Sequence, residues 1–133
     1  MTNVHFMSIT NEWSTPPEVY AGLDEEFGFN YDPCPLSDLD ESLVSDGLLN
    51  EWGTVSFCNP PYSKIKEWVR KGYLEWKKGK TVVFLIPSRT DTGWWHDYVM
   101  EANEIRFIRG RLRFGGSQNS APFPSCVVVF RGA

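Results

Sequence analysis

Between residues 63 and 79, apolar side chains recur at a helical period. Ile65, Trp68, Val69, Tyr73 and Trp76 stand at offsets 0, 3, 4, 8 and 11, which is one face of a helix. Lys64, Lys66, Arg70, Lys71, Lys77 and Lys78 fill much of the rest, and Gly79 ends the pattern. Thr81 to Ile86 (TVVFLI) then runs apolar without alternation, as in a parallel strand covered on both faces. Ser125 to Phe130 (SCVVVF) is a second strand of this kind and the last in the chain. Shorter strands are predicted at Phe29–Tyr31, Thr54–Cys58 and Glu104–Ile108, with a further one at Leu112–Phe114 inside a Gly-, Ser- and Pro-bearing connection. Ser14-Thr15-Pro16-Pro17-Glu18 reads as a helix start, with Ser14 or Thr15 as the cap and a proline in the first turn. That helix is expected to reach about Phe27 and stop at Gly28. A third helix is expected from Gly93 to about Asn103, carrying Trp94, Trp95 and His96. Residues 36–50 are acidic and read as loop with one helical turn.

Apolar strands alternating with amphipathic helices predict a three-layer α/β sheet. Ligands of such sheets bind at the carboxyl ends of the strands, where the winding direction switches. Asp32-Pro33 and Asn59-Pro60-Pro61-Tyr62 both fall at predicted strand ends and are the places to look for chemistry. At 133 residues the chain is expected to be a single domain. Its 41% hydrophobic and 23% charged residues suit a soluble globular protein. No apolar run approaches the roughly 20 residues that span a bilayer. The first residues lack the basic and apolar regions of a signal peptide. Three widely spaced cysteines, Cys34, Cys58 and Cys126, argue against a disulfide framework, and no CxxC zinc pattern occurs. The expected setting is a reducing cytoplasm, with no membrane partner and no metal.

Charge is segregated. The first 50 residues hold ten acids and no lysine or arginine. The remainder holds thirteen bases against seven acids, a balance of +6. A polyanion would meet the second part and not the first.

The string Asn59-Pro60-Pro61-Tyr62 arises by chance in roughly one chain of this length in a few thousand. A rigid turn after a strand explains the two prolines but not the flanking Asn and Tyr. An exocyclic amine on a base is a poor nucleophile, because its lone pair is delocalised into the ring. Two acceptors aimed at its N–H groups would favour a pyramidal nitrogen. The Asn59 side-chain carbonyl and the Pro60 main-chain carbonyl are those acceptors, with Pro61 fixing the direction of the second. Tyr62 offers an aromatic face for an extruded base. Methyl transfer from a sulfonium donor needs such alignment more than a strong base. His5 and His96 lack a nucleophile pattern, and no HExxH, GxSxG or GxxxxGK[ST] motif occurs.

Asn-Pro-Pro-Tyr after a strand resembles the catalytic motif of S-adenosylmethionine-dependent amino-methyltransferases. The wider pattern resembles the phage-type, Dam-like DNA N6-adenine methyltransferases. The strings that carry it are Trp13-Ser14-Thr15-Pro16, Asp32, Asp46-Gly47-Leu48, Trp52, Phe57 to Ser63, Leu85-Ile86-Pro87, Arg89-Thr90-Asp91-Thr92, Trp94-Trp95-His96 and Ile105 to Phe114. They extend over about residues 13 to 130. The resemblance implies a minimal Rossmann-like methyltransferase sheet, mostly parallel with an antiparallel final strand. It implies one catalytic domain over residues 1–133 without a separate target-recognition domain. It implies S-adenosylmethionine as cofactor, held by Thr15, Pro16, Asp32, Pro33, Asp46 and Phe57, with Asp32 pairing with the ammonium. It implies a double-stranded DNA partner with a flipped adenine, gripped by Arg89, Trp94, Arg109, Arg111 and Arg113, with Arg106 and Phe114 nearby. A homodimer would double this basic surface.

The chain departs from larger methyltransferases. No GxG follows Asp32, and only 26 residues separate Asp32 from Asn59, so the region of strands 2 and 3 is shortened. The ribose-binding acid has no clear counterpart beyond Glu41. Asn-Pro-Pro-Tyr is shared with enzymes that methylate protein glutamine or RNA, and a catalytically silent nucleic-acid-binding remnant is a third reading.

Overall fold

The computed structural model describes residues 14–34, 47–113 and 121–133. In chain order the elements are α1 (Pro17–Phe27), β1 (Val55–Cys58), α2 (Ile65–Lys77), β2 (Thr81–Pro87), α3 (Gly93–Asp97), β3 (Glu104–Phe107) and β4 (Ser125–Phe130). Single 3-10 turns at Tyr62–Lys64 and Val99–Glu101 precede α2 and follow α3. Gly28 ends α1 in the left-handed region, φ 68°, where its N–H closes on the Asp24 carbonyl at 2.7 Å. The third helix is shorter than its apolar pattern suggested. At Tyr98 the backbone turns to φ −124°, and a 3-10 turn takes over.

The four strands form one sheet in the order β1-β2-β4-β3. The β1·β2 pairing is parallel, whereas β4 runs antiparallel to both β2 and β3. Two of the three pairings are therefore antiparallel, which corrects the expectation of a mostly parallel sheet. The cause is the last strand. All six residues of SCVVVF are buried, and a strand apolar on both sides gains most by sitting between two neighbours instead of at an open edge. It is inserted between β2 and β3, so β1, β2 and β3 point one way and β4 alone points back. Phe29–Tyr31 is a single parallel bridge, Tyr31 to Ser56, beside β1. Leu112 receives a backbone hydrogen bond from Ala121 without forming a named strand. Of the 26 residues between Asp32 and Asn59, where the strand 2–3 region was expected to be shortened, residues 35–46 lie outside the described residues.

Both faces of the sheet are covered. On one, Cys58, Val82, Phe84, Ile86, Cys126, Val128 and Phe130 pack with Trp68, Val69, Trp94, Trp95 and Val99 from α2, α3 and the turn after it. On the other, Phe57, Val83, Leu85, Val127 and Val129 meet Leu23 of α1 with Ala121 and Phe123. Each fully buried aliphatic or aromatic side chain is worth roughly 1.5–3 kcal/mol, so β2 and β4 anchor the fold. The closeness of α2 to β2 depends on Gly72, where an added Cβ would run into the Phe84 ring. All three cysteines are buried and unbridged. No helix among the described residues is long and apolar enough to cross a membrane.

Candidate active site

Asn59 leaves β1 at its carboxyl end and is 4% exposed. Neither proline after it has an N–H, so the strand ladder stops there. Pro61 stays extended, φ −65° and ψ 136°, and the Tyr62–Lys64 turn leads into α2. The Asn59 side chain turns to the segment before α1, where its Nδ2 donates to Thr15 Oγ1 at 3.0 Å. This contact gives the amide a direction: the NH₂ arm faces Thr15, and the carbonyl arm is the acceptor on the other side. It also corrects the expected cap. Pro16 is the N-cap of α1, and no side chain caps it.

Tyr31 bridges Ser56 in parallel, so the chain reaches Asp32 at the same end of the sheet as Asn59. The two lie on segments one strand spacing apart, about 4.8 Å. Asp32 Oδ1 accepts from the Cys34 N–H at 2.9 Å, a local turn of the kind Asp favours. Asp32 keeps a face open to water, yet the protein around it strips away hydration and pushes its carboxyl up to about 6, against the pull of the Cys34 N–H. Gly47 abuts this turn, since an added Cβ there would run into the Pro33 carbonyl. Among the described residues no group of three His, Cys, Asp or Glu is arranged to hold a metal.

Tyr62 lies edge-on to Phe123, with ring centroids 5.0 Å apart and planes at 82°. Its hydroxyl is buried and has no hydrogen-bond partner among the described residues. Burial raises the phenol's pKa, and the charge of Arg89 opposes that rise. The Ser88 N–H donates to the Pro124 carbonyl at 2.9 Å, which ties the exit of β2 to the approach to β4. Arg89 follows, exposed, on the rim shared with Asn59.

A family model described as DNA N-6-adenine-methyltransferase (Dam) matches residues 5–130. The chain belongs to the Dam family. A curated relative, the DNA N-6-adenine-methyltransferase of Escherichia phage T1, is 27% identical over 115 residues, covering 79% of this chain and 48% of the phage protein. The chain thus spans about half the length of that relative. No solved structure matches it.

In this Dam-family chain, Thr15, Asp32, Asn59, Tyr62 and Arg89 gather at one end of the sheet, with Pro16, Pro33, Pro60 and Pro61 buried among them. Two expected site residues belong to the core instead. Phe57 is 2% exposed and meets Tyr20 at 5.2 Å and Phe29 at 5.3 Å, so it has no open face to line a pocket. Trp94 is 8% exposed and packs in the same core cluster as Trp95, so its ring offers no platform for a base. Arg106 is also engaged. It holds Glu26 at 2.6 and 2.7 Å and Glu104 at 2.8 Å. Arg109, Arg111 and Arg113 are exposed beyond β3 and form no ion pair with any described residue. Trp13, Glu41, Asp46 and Phe114 lie outside the described residues.

The sequence reading overlooked two aromatics. Phe123 sets the Tyr62 ring from a distant segment, and nothing local to either residue signals that contact. Phe107, at the carboxyl end of β3, is 66% exposed. Its signal was present, because it continues the Ile105 face one step past the core.

Proposed function

We propose that this chain is an S-adenosylmethionine-dependent methyltransferase, of phage or prophage origin, that modifies N6 of adenine in double-stranded DNA. The observation that carries this reading is Asn59-Pro60-Pro61-Tyr62 at a strand's carboxyl end, with the Asn59 amide oriented by Thr15. Family membership and the phage relative's name support adenine as the target. The sheet is read as a minimal Rossmann-like methyltransferase core forming one catalytic domain.

The adenine leaves the DNA stack and lies on Tyr62. Its amine donates one N–H to Asn59 Oδ1 and the other to the Pro60 carbonyl, which exposes the nitrogen lone pair. Neither acceptor is basic, so the proton lost as the N–C bond forms passes to solvent. The cofactor, when bound, supplies a methyl group on a positively charged sulfur. Pro16, Asp32 and Pro33 are the described residues that would hold it, and the poorly hydrated Asp32 carboxylate suits its ammonium. Arg89 serves the phosphates near the extruded base. Phe107, Arg109, Arg111 and Arg113 form a second contact zone, three strand spacings or roughly 14 Å along the rim from Asn59. The reaction belongs in the host-cell cytoplasm, where phage DNA is exposed.

The test is incubation of DNA with protein and labelled cofactor, digestion, and nucleoside analysis. N6-methyldeoxyadenosine is expected with wild type and formed about a hundredfold more slowly with Asn59→Ala. Label confined to protein or RNA, or no label, overturns the reading.

A further inference from the structure

We propose that Thr15 is a positioning residue for Asn59 and not a cofactor contact. The side-chain amide of an asparagine rotates about a soft, nearly two-fold torsion, and its two arms are almost the same size. An amine substrate brings only N–H donors, so Asn59 works only when its oxygen faces the substrate. A hydroxyl beside the amide tethers it in place; because a hydroxyl can also donate, it fixes where the amide stands, and the arrangement in the structure has the NH₂ arm on the hydroxyl and the oxygen turned away. That hydroxyl is Thr15 Oγ1, at 3.0 Å and across 44 residues of sequence.

The position of Thr15 is itself fixed by the core. The Pro16 carbonyl accepts from Val19 and Tyr20 N–H at 3.0 and 3.1 Å, which locks the start of α1. Tyr20 then packs edge-on against Phe57 at 5.2 Å. Phe57 lies on β1, two positions before Asn59. One closed path therefore runs from the catalytic strand through α1 and back to the catalytic side chain. Phe57 acts within it as a spacer that sets how far Thr15 stands from Asn59.

Hydroxyls accept as well as donate. In Asn59→Asp the Thr15 hydroxyl can reverse its role and donate to the carboxylate, so residual activity in that variant is expected to depend on Thr15 too.

Thr15 has this role only if Asn59 does what is proposed above, and the experiment keeps the two apart. Thr15→Val, Thr15→Ser and Asn59→Ala are compared with wild type by kcat on DNA, by calorimetric affinity for S-adenosylmethionine, and by thermal melting of the ligand-free protein. Thr15→Val is expected to lower kcat about tenfold, the worth of one hydrogen bond, with cofactor affinity within about twofold. Thr15→Ser, which keeps the hydroxyl, is expected to restore kcat to within about threefold of wild type. The melting effects of Thr15→Val and Asn59→Ala are expected to be non-additive in the double variant. Activity retained in Asn59→Ala overturns the proposed function. Loss in Asn59→Ala with wild-type kcat in Thr15→Val overturns this inference alone, as does loss of cofactor affinity in place of kcat, failure of Thr15→Ser to rescue, or additive melting. If Thr15→Val does not fold, Thr15→Ala carries the same comparison without adding apolar bulk.

Discussion

At the amino end of β2, the carboxylate of Glu75 is 1% exposed and four donors reach it. Lys80 stands at 2.6 Å, Lys71 at 2.9 Å, and the Trp52 N–H and Lys78 at 3.1 Å. Burial alone would raise its pKa, but these bonds outweigh burial and hold it at about 2. At the other end of the sheet, Asp32 receives a bond from the Cys34 N–H, and lost hydration carries it up to about 6. Nearby, the Tyr62 hydroxyl is buried without a partner among the described residues. The two acids are the same functional group in opposite states of compensation. A buried charge kept for stability is surrounded by counter-charge within the chain. Under the proposed function, Asp32, which keeps a face open to water, is left short of such counter-charge for the cofactor's ammonium to supply.

The largest effect is expected where compensation is complete. Glu75→Ala would leave three lysines facing one another and orphan the Trp52 N–H, a loss of about 4 kcal/mol. For a chain of this size that is a fall in Tm of more than about 10 °C, read by calorimetric melting. Because the folded pKa lies below the unfolded one, this stability is present above about pH 4.5 and is lost as pH falls toward about 2. Glu75→Gln is expected to flatten that part of the acid-unfolding curve. Cofactor affinity at low temperature is expected to stay unchanged, and a fall would tie the two ends of the sheet together.

The site is expected to respond in the opposite way, with function lost and stability kept. Asn59→Ala would remove a transition-state acceptor, worth about a hundredfold in rate or roughly 2.7 kcal/mol. Its melting temperature is expected to fall by only the few degrees that the Thr15 hydrogen bond is worth, its cofactor affinity to change little, and Asn59→Asp to keep measurable turnover. More than half of wild-type turnover in Asn59→Ala would remove Asn59 from the mechanism.

This division was only partly legible in the sequence. TVVFLI and SCVVVF could be read as doubly covered strands because burial on both faces erases alternation. Ile65 to Trp76 could be read as one face of a helix, and Asn59 could be placed at a strand end because two prolines stop any ladder. The gap in the sheet that SCVVVF fills was not legible, since an apolar strand carries no record of which neighbours it pairs with. Trp94 misled because an aromatic near arginines looks the same whether it faces DNA or the core. Thr15 misled for a related reason. Beside prolines it looks like a cap, and its partner lies on a strand that local pattern does not connect to it. Glu75 drew no notice among the lysines of α2, because an i,i+4 pair on a helix is ordinarily exposed and weak.

Asp32 allows the undercompensated state to be titrated. A carboxylate that binds an ammonium does so only when ionised, so cofactor affinity is expected to be full above about pH 6 and to fall as pH drops through it. Asp32→Asn is expected to weaken binding about tenfold at pH 7.5 and to flatten the profile between pH 5 and 7, read by calorimetry, a range above ordinary carboxyl titration at about pH 4. A wild-type profile flat through this range would reduce Asp32 to the former of the Cys34 turn.

The bases repeat the comparison with smaller effects. Arg106 is held by Glu26 and Glu104, and Arg131 by Glu104, so their charge is spoken for within the chain. Arg89, Arg109, Arg111 and Arg113 are exposed and form no ion pair with any described residue. A cation that gives up no internal ion pair (Arg111 gives up only a long hydrogen bond to the Ala121 carbonyl at 3.5 Å) can displace counterions from DNA, and each phosphate so neutralised contributes about −0.9 to the slope of log affinity against log salt. Arg89→Ala and Arg111→Ala are each expected to make that slope shallower by about one unit and to weaken binding severalfold, with cofactor affinity unchanged. Arg106→Ala is expected to leave the slope as it is and to lower thermal stability instead. Fluorescence anisotropy at several salt concentrations decides between them. A shallower slope in Arg106→Ala, or none in Arg89→Ala and Arg111→Ala, would mean that pairing within the chain does not determine which arginines meet DNA.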